Sequence, residues 1–183
     1  SLYLDKWRLN VISSFVSQMY TAVKSEDTDC VFSISPAGNV SNNYEEEYAD
    51  VELWCSERGY CDWIIPQLYY GFESRKLPFD KACRQWSELD KNGAVRMIYG
   101  VAAYKVNGES DEFKAGSGII EKQISVAKAT DNYGGIAFFS YSALVDPKNK
   151  SEFAGIKSSV FTESTSEEEG NQGSGNTEQE PNG

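Results

Sequence analysis

The chain of 183 residues contains no histidine. Histidine is the commonest metal ligand and the commonest general base in proteins, so both kinds of site lose their usual residue here. The four cysteines, Cys30, Cys55, Cys61 and Cys83, lack the paired spacing of a zinc site. We therefore expect no metal and no cofactor. Pairing of Cys61 with Cys55 or with Cys30 stays open beside the favoured interpretation, four thiols that are mostly buried.

Basic residues are scarce as well, with 17 Lys and Arg against 28 Asp and Glu and a formal net charge of -11. A nucleic-acid-binding domain needs a basic patch, so no nucleic-acid partner is expected. Residues 162–183 carry six glutamates, no Lys or Arg, and many Gly and Ser. Such a segment cannot bury apolar surface, which predicts a disordered acidic linker over 162–183 after a folded domain at 1–161.

No apolar run is long enough to span a membrane, and the chain shows neither an initiator methionine nor a signal peptide. What it does contain is four apolar stretches, each followed by polar and aromatic residues: 31–34, 61–68, 95–103 and 135–139. Helical patterns lie around them at about 4–24, 46–57, 79–90, 117–130 and within 142–161. We predict about four β/α units, too few for a complete eight-stranded barrel, and hence a piece of a longer protein.

The first helix has apolar residues at the spacing of one helical face, which is typical of a helix that packs by that face. These residues are Leu4, Trp7, Val11, Phe15, Met19 and Val23.

Functional side chains of a β/α barrel gather where the strands end, and the helices begin at the same face. Ten residues in these positions are the candidate binding residues, with Arg8 at the start of the first helix. They are Asn10, Ser35, Asn39, Gln67, Tyr69, Tyr70, Tyr104, Lys105, Ser140 and Tyr141. Other interpretations remain: barrel packing for the tyrosines, a solvent-directed chain for Lys105, and solvated helix positions for Arg8 and Asn10. Glu73 is the carboxylate nearest the aromatic residues and the candidate catalytic residue.

Six short motifs occur in an order and spacing that resembles a known family. They are Trp7-Arg8-x-Asn10-Val11, Ile34-Ser35-Pro36-x-Gly38, Tyr48-Ala49-Asp50, Pro66-Gln67-Leu68-Tyr69, Ala103-Tyr104-Lys105 and Phe138-Phe139-Ser140-Tyr141-Ser142. Over about residues 3–155 they resemble glycosyl-hydrolase-like family ten, bacterial surface proteins with a TIM-barrel hydrolase domain. The family's Asp-rich strand-four motif is absent, and Ala37 stands where many relatives have an aromatic residue.

The resemblance implies that the chain is α/β, the carboxyl-terminal half of a (β/α)8 TIM barrel. Its partners would be a glycan, of peptidoglycan type, and the missing amino-terminal half of the barrel. The location implied is extracellular or at the bacterial cell surface. The strand-end residues would then form a sugar-binding wall, since tyrosine offers both a ring and a hydroxyl group.

Glycoside hydrolysis needs two carboxyl groups about 5–10 Å apart. The resemblance places the main ones upstream of this chain, so we expect the chain alone to be inactive, and whether the protein is an enzyme is left undecided. One alternative is a glycan-binding surface module without catalysis. Another is a half-barrel that dimerises.

Overall fold

The computed structural model describes residues 2–108 and 110–156. Its centre is a parallel sheet of four strands that lie side by side in sequence order. The strands are β1 (Ser33–Ile34), β2 (Trp63–Ile64), β3 (Arg96–Val101) and β4 (Tyr133–Phe138). Helical crossovers join them, as parallel strands require. This mixed α/β architecture with a parallel sheet agrees with the predicted α/β class, and the half-barrel stays a prediction. The predicted linker at 162–183 lies outside the described residues.

Helices precede, connect and follow the strands. They are α1 (Leu2–Glu26), α2 (Val40–Glu45), α3 (Val51–Ser56), α4 (Phe79–Ser87), α5 (Ile119–Lys128), α6 (Tyr141–Val145) and α7 (Lys150–Phe153). Single turns of 3-10 helix lie at Ala103–Lys105, Asp111–Phe113 and Pro147–Asn149. None of the described helices is long and apolar enough to cross a membrane.

The helix predicted over 46–57 is shorter in the structure, where α3 covers its second half, and α2, which ends before the predicted range, was not predicted. The Asn39 side chain accepts a hydrogen bond from the backbone N–H of Asn42 and begins α2. The Asp50 side chain does the same for Leu53 and begins α3. Between them Tyr48 takes a left-handed backbone conformation, with φ of 52°, which interrupts the helix.

One face of the sheet carries the core and is called the covered face. Ile64, Met97, Tyr99 and Val101 lie on it, fully buried under residues of α3, α4 and α5. Trp86 of α4, with 0% of its surface exposed, donates its indole N–H to the Gly38 carbonyl oxygen at 2.8 Å. The polar atom of this large side chain is therefore satisfied inside the core.

The opposite face of the sheet, called the open face, carries two side chains that reach solvent. Ser33, Trp63 and Arg96 are paired across three strands on this face. The Arg96 guanidinium lies 5.6 Å from the Trp63 ring centroid, and its Nε donates to the Gly134 carbonyl oxygen at 2.9 Å. Ser33 and Arg96 are exposed to solvent.

Helix α1 packs on the rest of the protein through a face that the periodicity did not indicate. Leu9 and Ser13 are buried, Ile12 and Val16 pack against the core, and Trp54 donates to the Ser13 hydroxyl at 3.0 Å. The face predicted to pack is instead exposed, from Leu4 through Trp7, Val11 and Phe15 to Met19. The spacing of apolar residues identifies an apolar face of a helix, but it does not show whether another element packs on that face.

The start of α5 is held by a buried carboxylate. Glu152 accepts hydrogen bonds from the backbone N–H groups of Gly116 and Gly118, both at 3.0 Å, and of Ile120 at 2.9 Å. The first N–H groups of a helix have no partner within the helix, and a negative charge is favourable there. Glu152 thereby ties the end of the described chain to α5.

All four cysteines are free thiols. Cys55, Cys61 and Cys83 are buried and Cys30 is exposed, which agrees with the favoured interpretation of mostly buried thiols. Burial raises the pKa of Cys61 and of Cys83 to about 12, and raises that of Cys55 further. These three thiols stay protonated at neutral pH and act as core side chains.

Candidate functional site

Three aromatic rings meet where β2, β3 and β4 end. The rings of Tyr69 and Phe139 are stacked, with centroids 5.7 Å apart and planes at 18°. Tyr104 meets both edge-on, at 5.9 Å from Tyr69 and 6.0 Å from Phe139. Tyr104 is 50% exposed and Phe139 is 55% exposed. Tyr69, Tyr104 and Phe139 therefore form an aromatic surface at the strand ends, called here the aromatic cluster.

A cavity of about 490 Å³ lies beside the aromatic cluster. Its lining includes aromatic side chains and two charged ones: Tyr69, Tyr70, Tyr104, Lys105, Glu112 and Phe113. A larger cavity, of about 620 Å³, lies between α3 and α4 and is lined by Asp50, Glu52 and Glu88 among others. The smaller one is the better candidate, because it adjoins the carboxyl ends of the strands, where α/β folds place their sites.

Lys105 has a defined partner at this site. Its Nζ donates to the Tyr69 carbonyl oxygen at 2.6 Å and lies 5.8 Å from the Phe113 ring centroid. The ammonium group is thus held in the cavity wall rather than directed freely into solvent. An ammonium group has three N–H donors, so two remain for a ligand.

Tyr69 and Tyr70 of the cavity keep their protons at neutral pH. Burial raises the pKa of Tyr69, and the neighbouring Tyr104 raises it further. Burial also raises the pKa of Tyr70. At neutral pH each hydroxyl group can therefore both donate and accept a hydrogen bond.

Two glutamates lie near the cavity, and sequence reasoning named the less enclosed one. Glu73 is exposed, whereas Glu112 is half-buried and lines the cavity. Oε2 of Glu112 accepts a hydrogen bond from the backbone N–H of Glu73 at 3.2 Å. The Glu112 carboxylate packs so closely on Gly71 that any side chain at position 71 would collide with it. Glu112 was missed because its loop, rich in Gly, Ser and Asp, shows no periodic pattern.

The polar residues after β1 and β2 pair with each other. Gln67 donates through Nε2 to the Ser35 carbonyl oxygen at 3.0 Å, and the Ser35 hydroxyl donates to the Ile65 carbonyl oxygen at 2.9 Å. Asn39, next along the chain, serves as the cap of α2. Ser35 and Gln67 thus stand at the strand ends as predicted, while the hydrogen bond of Asn39 is used by the fold.

The remaining predicted residues lie apart from the cavity lining. Arg8 donates to the Tyr48 hydroxyl at 2.6 Å, and its guanidinium lies 4.8 Å from that ring's centroid. Asn10 is exposed on α1, and Tyr141 is exposed at the start of α6. The Ser140 hydroxyl lies 2.7 Å from that of Ser142. Their roles in binding stay predictions.

The described residues include no group of three Cys, Asp or Glu side chains that could hold a metal ion. The chemistry offered by the site is therefore that of its rings, its hydroxyl groups and one charged group of each sign. Flat apolar faces beside hydrogen-bonding edges match the surface of a carbohydrate.

Comparison with known proteins gives one family match. A sequence model of the family described as Glycosyl hydrolase-like 10 matches residues 2–115. The matched range includes Tyr69, Glu73, Tyr104 and Glu112, and it ends before Phe139.

Named relatives agree with this match. Glycosyl hydrolase YngK of Bacillus subtilis strain 168 is 29% identical over 175 residues, covering 87% of this chain and 33% of that protein. Glycosyl hydrolase DigH of Escherichia coli K12 is 26% identical over 171 residues, covering 83% of this chain and 39% of that protein. The chain thus spans between a third and two fifths of the length of these relatives.

Proposed function

We propose, from the premise that this chain belongs to the glycosyl hydrolase-like 10 family, that it is the carboxyl-terminal half of a TIM-barrel glycoside hydrolase. The family and the names of the relatives support a function related to glycans. We propose further that the glycan substrate is a peptidoglycan-type strand of the bacterial cell wall. The protein would then work outside the cell or at its surface.

The aromatic cluster is the observation that carries the proposal. Tyr104 and Phe139 expose half or more of their surface although they adjoin a packed sheet end. Rings held in fixed edge-on and stacked contacts lose little conformational entropy when a sugar ring lies on them. Lys105, held at the Tyr69 carbonyl oxygen, offers N–H donors beside these rings for hydroxyl groups of the sugar.

The chain supplies binding groups more completely than catalytic groups. Hydrolysis needs an acid and a second carboxylate that acts as base or nucleophile. Glu73 is the residue we propose for a direct role, at the rim of the site, and the principal carboxylates would come from the half of the barrel that precedes α1. On this proposal the chain alone binds glycan weakly and does not cleave it.

The test is hydrolysis of peptide-free peptidoglycan strands by the full-length protein, with Glu73→Gln measured in parallel. We expect cleavage by the wild type, seen as new reducing ends. A large loss of kcat in Glu73→Gln would support the role of that residue. Unchanged activity in the variant would show that Glu73 is not catalytic and that the catalytic carboxylates belong to the preceding half of the barrel.

A second candidate function is glycan binding without catalysis. The lining of the cavity favours this candidate. Among the described residues that line it, Glu112 is the only one with a carboxylate, whereas hydrolysis needs two. Binding of the same strands that Tyr69→Ala weakens, without cleavage by the full-length protein, would support this candidate. Tyr3→Ala, a change on the exposed start of α1, is the matched control and should bind like the wild type.

A further inference from the structure

Gln123 is a polar residue on the buried side of α5. The other buried residues of this helix are apolar: Ile119, Ile120, Ile124 and Ala127. Gln123 has 0% of its surface exposed, and its Oε1 has no hydrogen-bond partner in the described part of the chain. A buried amide oxygen without a partner lowers stability, so an apolar side chain would favour folding more. The reason for glutamine at this position therefore lies in its N–H group.

The Gln123 amide contacts the backbone at the candidate site. Its Nε2 donates to the Tyr70 carbonyl oxygen at 2.8 Å. Tyr70 belongs to Tyr69–Glu73, called here the strand-end segment, which follows β2 along the chain. Two residues of this segment, Tyr69 and Tyr70, line the cavity, and Glu73 is the candidate catalytic residue. A donor in the core thus fixes the backbone that carries these tyrosines.

Two further side chains hold the strand-end segment. Lys105 donates to the Tyr69 carbonyl oxygen at 2.6 Å, and Glu112 accepts a hydrogen bond from the Glu73 N–H at 3.2 Å. Together with Gln123 they fix both ends and the middle of the segment from three different elements. Lys105 and Glu112 also line the cavity, whereas Gln123, fully buried, does not. A change at Gln123 therefore tests the hold on the segment without removing a group that can touch a ligand.

We propose that Gln123 is a positioning residue: through the Tyr70 carbonyl group it sets the place of the strand-end segment, and thereby the affinity of the site for glycan. The proposal rests on the proposed function in taking Tyr69 and Tyr70 as glycan-binding residues. It adds a residue beyond the range 2–115 that the family model matches. Because its side chain is buried, Gln123 acts through the backbone and makes no contact with the glycan itself.

Gln123→Met distinguishes positioning from a role in packing alone. Methionine is unbranched and adaptable, so it fills the space of glutamine, but it has no N–H donor. Without that donor the Tyr70 carbonyl oxygen loses its hydrogen bond to α5, and the strand-end segment gains alternative conformations. If Gln123 served only to fill the core, Gln123→Met would leave the segment and its binding of glycan unchanged.

Hydrogen exchange of the full-length protein measures the hold on the segment without any glycan. We expect the backbone N–H groups of residues 69–73 to exchange about fivefold faster in Gln123→Met, the factor that one hydrogen bond contributes to an equilibrium. Val51→Ala, at a fully buried position of α3, is the matched control, because it removes core packing and keeps the Gln123 amide. It should leave the exchange of this segment unchanged. Equal exchange in Gln123→Met and the wild type would overturn the proposal.

The affinity for peptide-free peptidoglycan strands is the second measurement. We expect Gln123→Met to raise the Kd of the full-length protein about fivefold, because the released segment must be ordered again when the glycan binds. Val51→Ala should lower the Tm and leave the Kd unchanged. Weaker binding by Val51→Ala, in proportion to its lower Tm, would show that binding follows general stability, which contradicts a positioning role.

Gln123→Glu provides a rescue. A protonated carboxyl group has an O–H that can donate to the Tyr70 carbonyl oxygen, and burial raises the pKa of a carboxyl group. At about pH 5 Gln123→Glu should therefore bind the strands more tightly than Gln123→Met, and equal or weaker binding would contradict the proposal. If the wild type itself does not bind the strands, the proposed function fails, and the exchange rates still decide whether Gln123 positions the segment.

Discussion

The covered and open faces of the sheet differ in what lies against them, although the same strands supply both. Met97 and Tyr99 are fully buried on the covered face, whereas Arg96, beside Met97 in the same strand, is exposed on the open face. The difference teaches that helices α3, α4 and α5 keep the covered face from water, while Arg96 on the open face reaches solvent. It also predicts that equal substitutions on the two faces have unequal effects on stability.

The largest effect is expected for Trp86→Ala on the covered face. Trp86 is fully buried and donates to the Gly38 carbonyl oxygen, so the variant loses packing and leaves that oxygen without its partner. We expect the free energy of unfolding to fall by about 3–5 kcal/mol, measured by urea denaturation.

Trp63→Ala is the matched change on the open face. Its ring is partly exposed and contacts the Arg96 guanidinium. We expect a loss of about 1–2 kcal/mol, because less apolar surface leaves a buried environment. Equal losses for the two tryptophans would contradict the distinction between the faces.

Glu152→Gln tests whether a buried polar contact can be as important as covered apolar surface. The carboxylate accepts three backbone hydrogen bonds at the start of α5, and an amide replaces one of its acceptor oxygens by a donor. We expect a loss of about 1–3 kcal/mol in urea denaturation. Glu121→Gln, exposed in the first turn of α5, should have little effect. An unchanged free energy of unfolding in Glu152→Gln would show that this buried polar contact does not stabilise the fold as covered apolar surface does.

Gly71→Ala tests the contact between Gly71 and the Glu112 carboxylate, which lies at the ends of the strands. The new methyl group would displace the Glu112 carboxylate and break its hydrogen bond to the Glu73 N–H. We expect a loss of about 1 kcal/mol in urea denaturation, the typical net value of a hydrogen bond. Glu112→Ala should cost a similar amount, and the double variant no more than either alone. Additive losses would show that the two positions are independent.

The smallest effect is expected for the pH dependence of stability that comes from the ion pair of Asp62 with Lys24, at the amino ends of the strands. Burial raises the pKa of Asp62, but Lys24 at 2.8 Å, the Phe32 N–H at 2.8 Å and the Tyr20 hydroxyl outweigh it and hold the pKa below its usual value. Because the folded-state pKa is the lower one, this stabilisation is complete above the unfolded value, about 3.9. It is lost as the pH falls through the folded value.

Asp62→Asn should therefore be less stable than the wild type at pH 7, and the difference should shrink below about pH 4. Thermal unfolding across this range measures it. Asp29→Asn, an exposed change nearby, should show no such convergence. A constant difference for Asp62→Asn at every pH would mean that its charge contributes nothing.

The parts of the fold that sequence reasoning found are those with a strong local pattern. β3 and β4 are apolar runs between turn residues, and α4 and α5 have one apolar face, so their positions were predicted within a few residues. The break at Tyr48 was not found, since a left-handed residue other than glycine leaves no compositional trace.

The candidate site was predictable to a similar extent. The rule that side chains gather at strand ends found Tyr69, Tyr104 and Lys105. Phe139 was assigned to the fourth strand, because an apolar residue beside Phe138 continues the run, yet it lies just beyond β4. Which residues touch across loops, such as Glu112 and Gly71, depends on tertiary contacts that no local pattern records.

The order of the strands has a consequence for synthesis on the ribosome. The strands begin at Ser33, Trp63, Arg96 and Tyr133, and each pairs with the one made just before it. No strand has to be inserted later between two that are already joined, so the sheet can grow one strand at a time as the chain emerges. Folding that follows translation in this way closes only one crossover between neighbouring strands at each step, which keeps the entropic cost of each closure small.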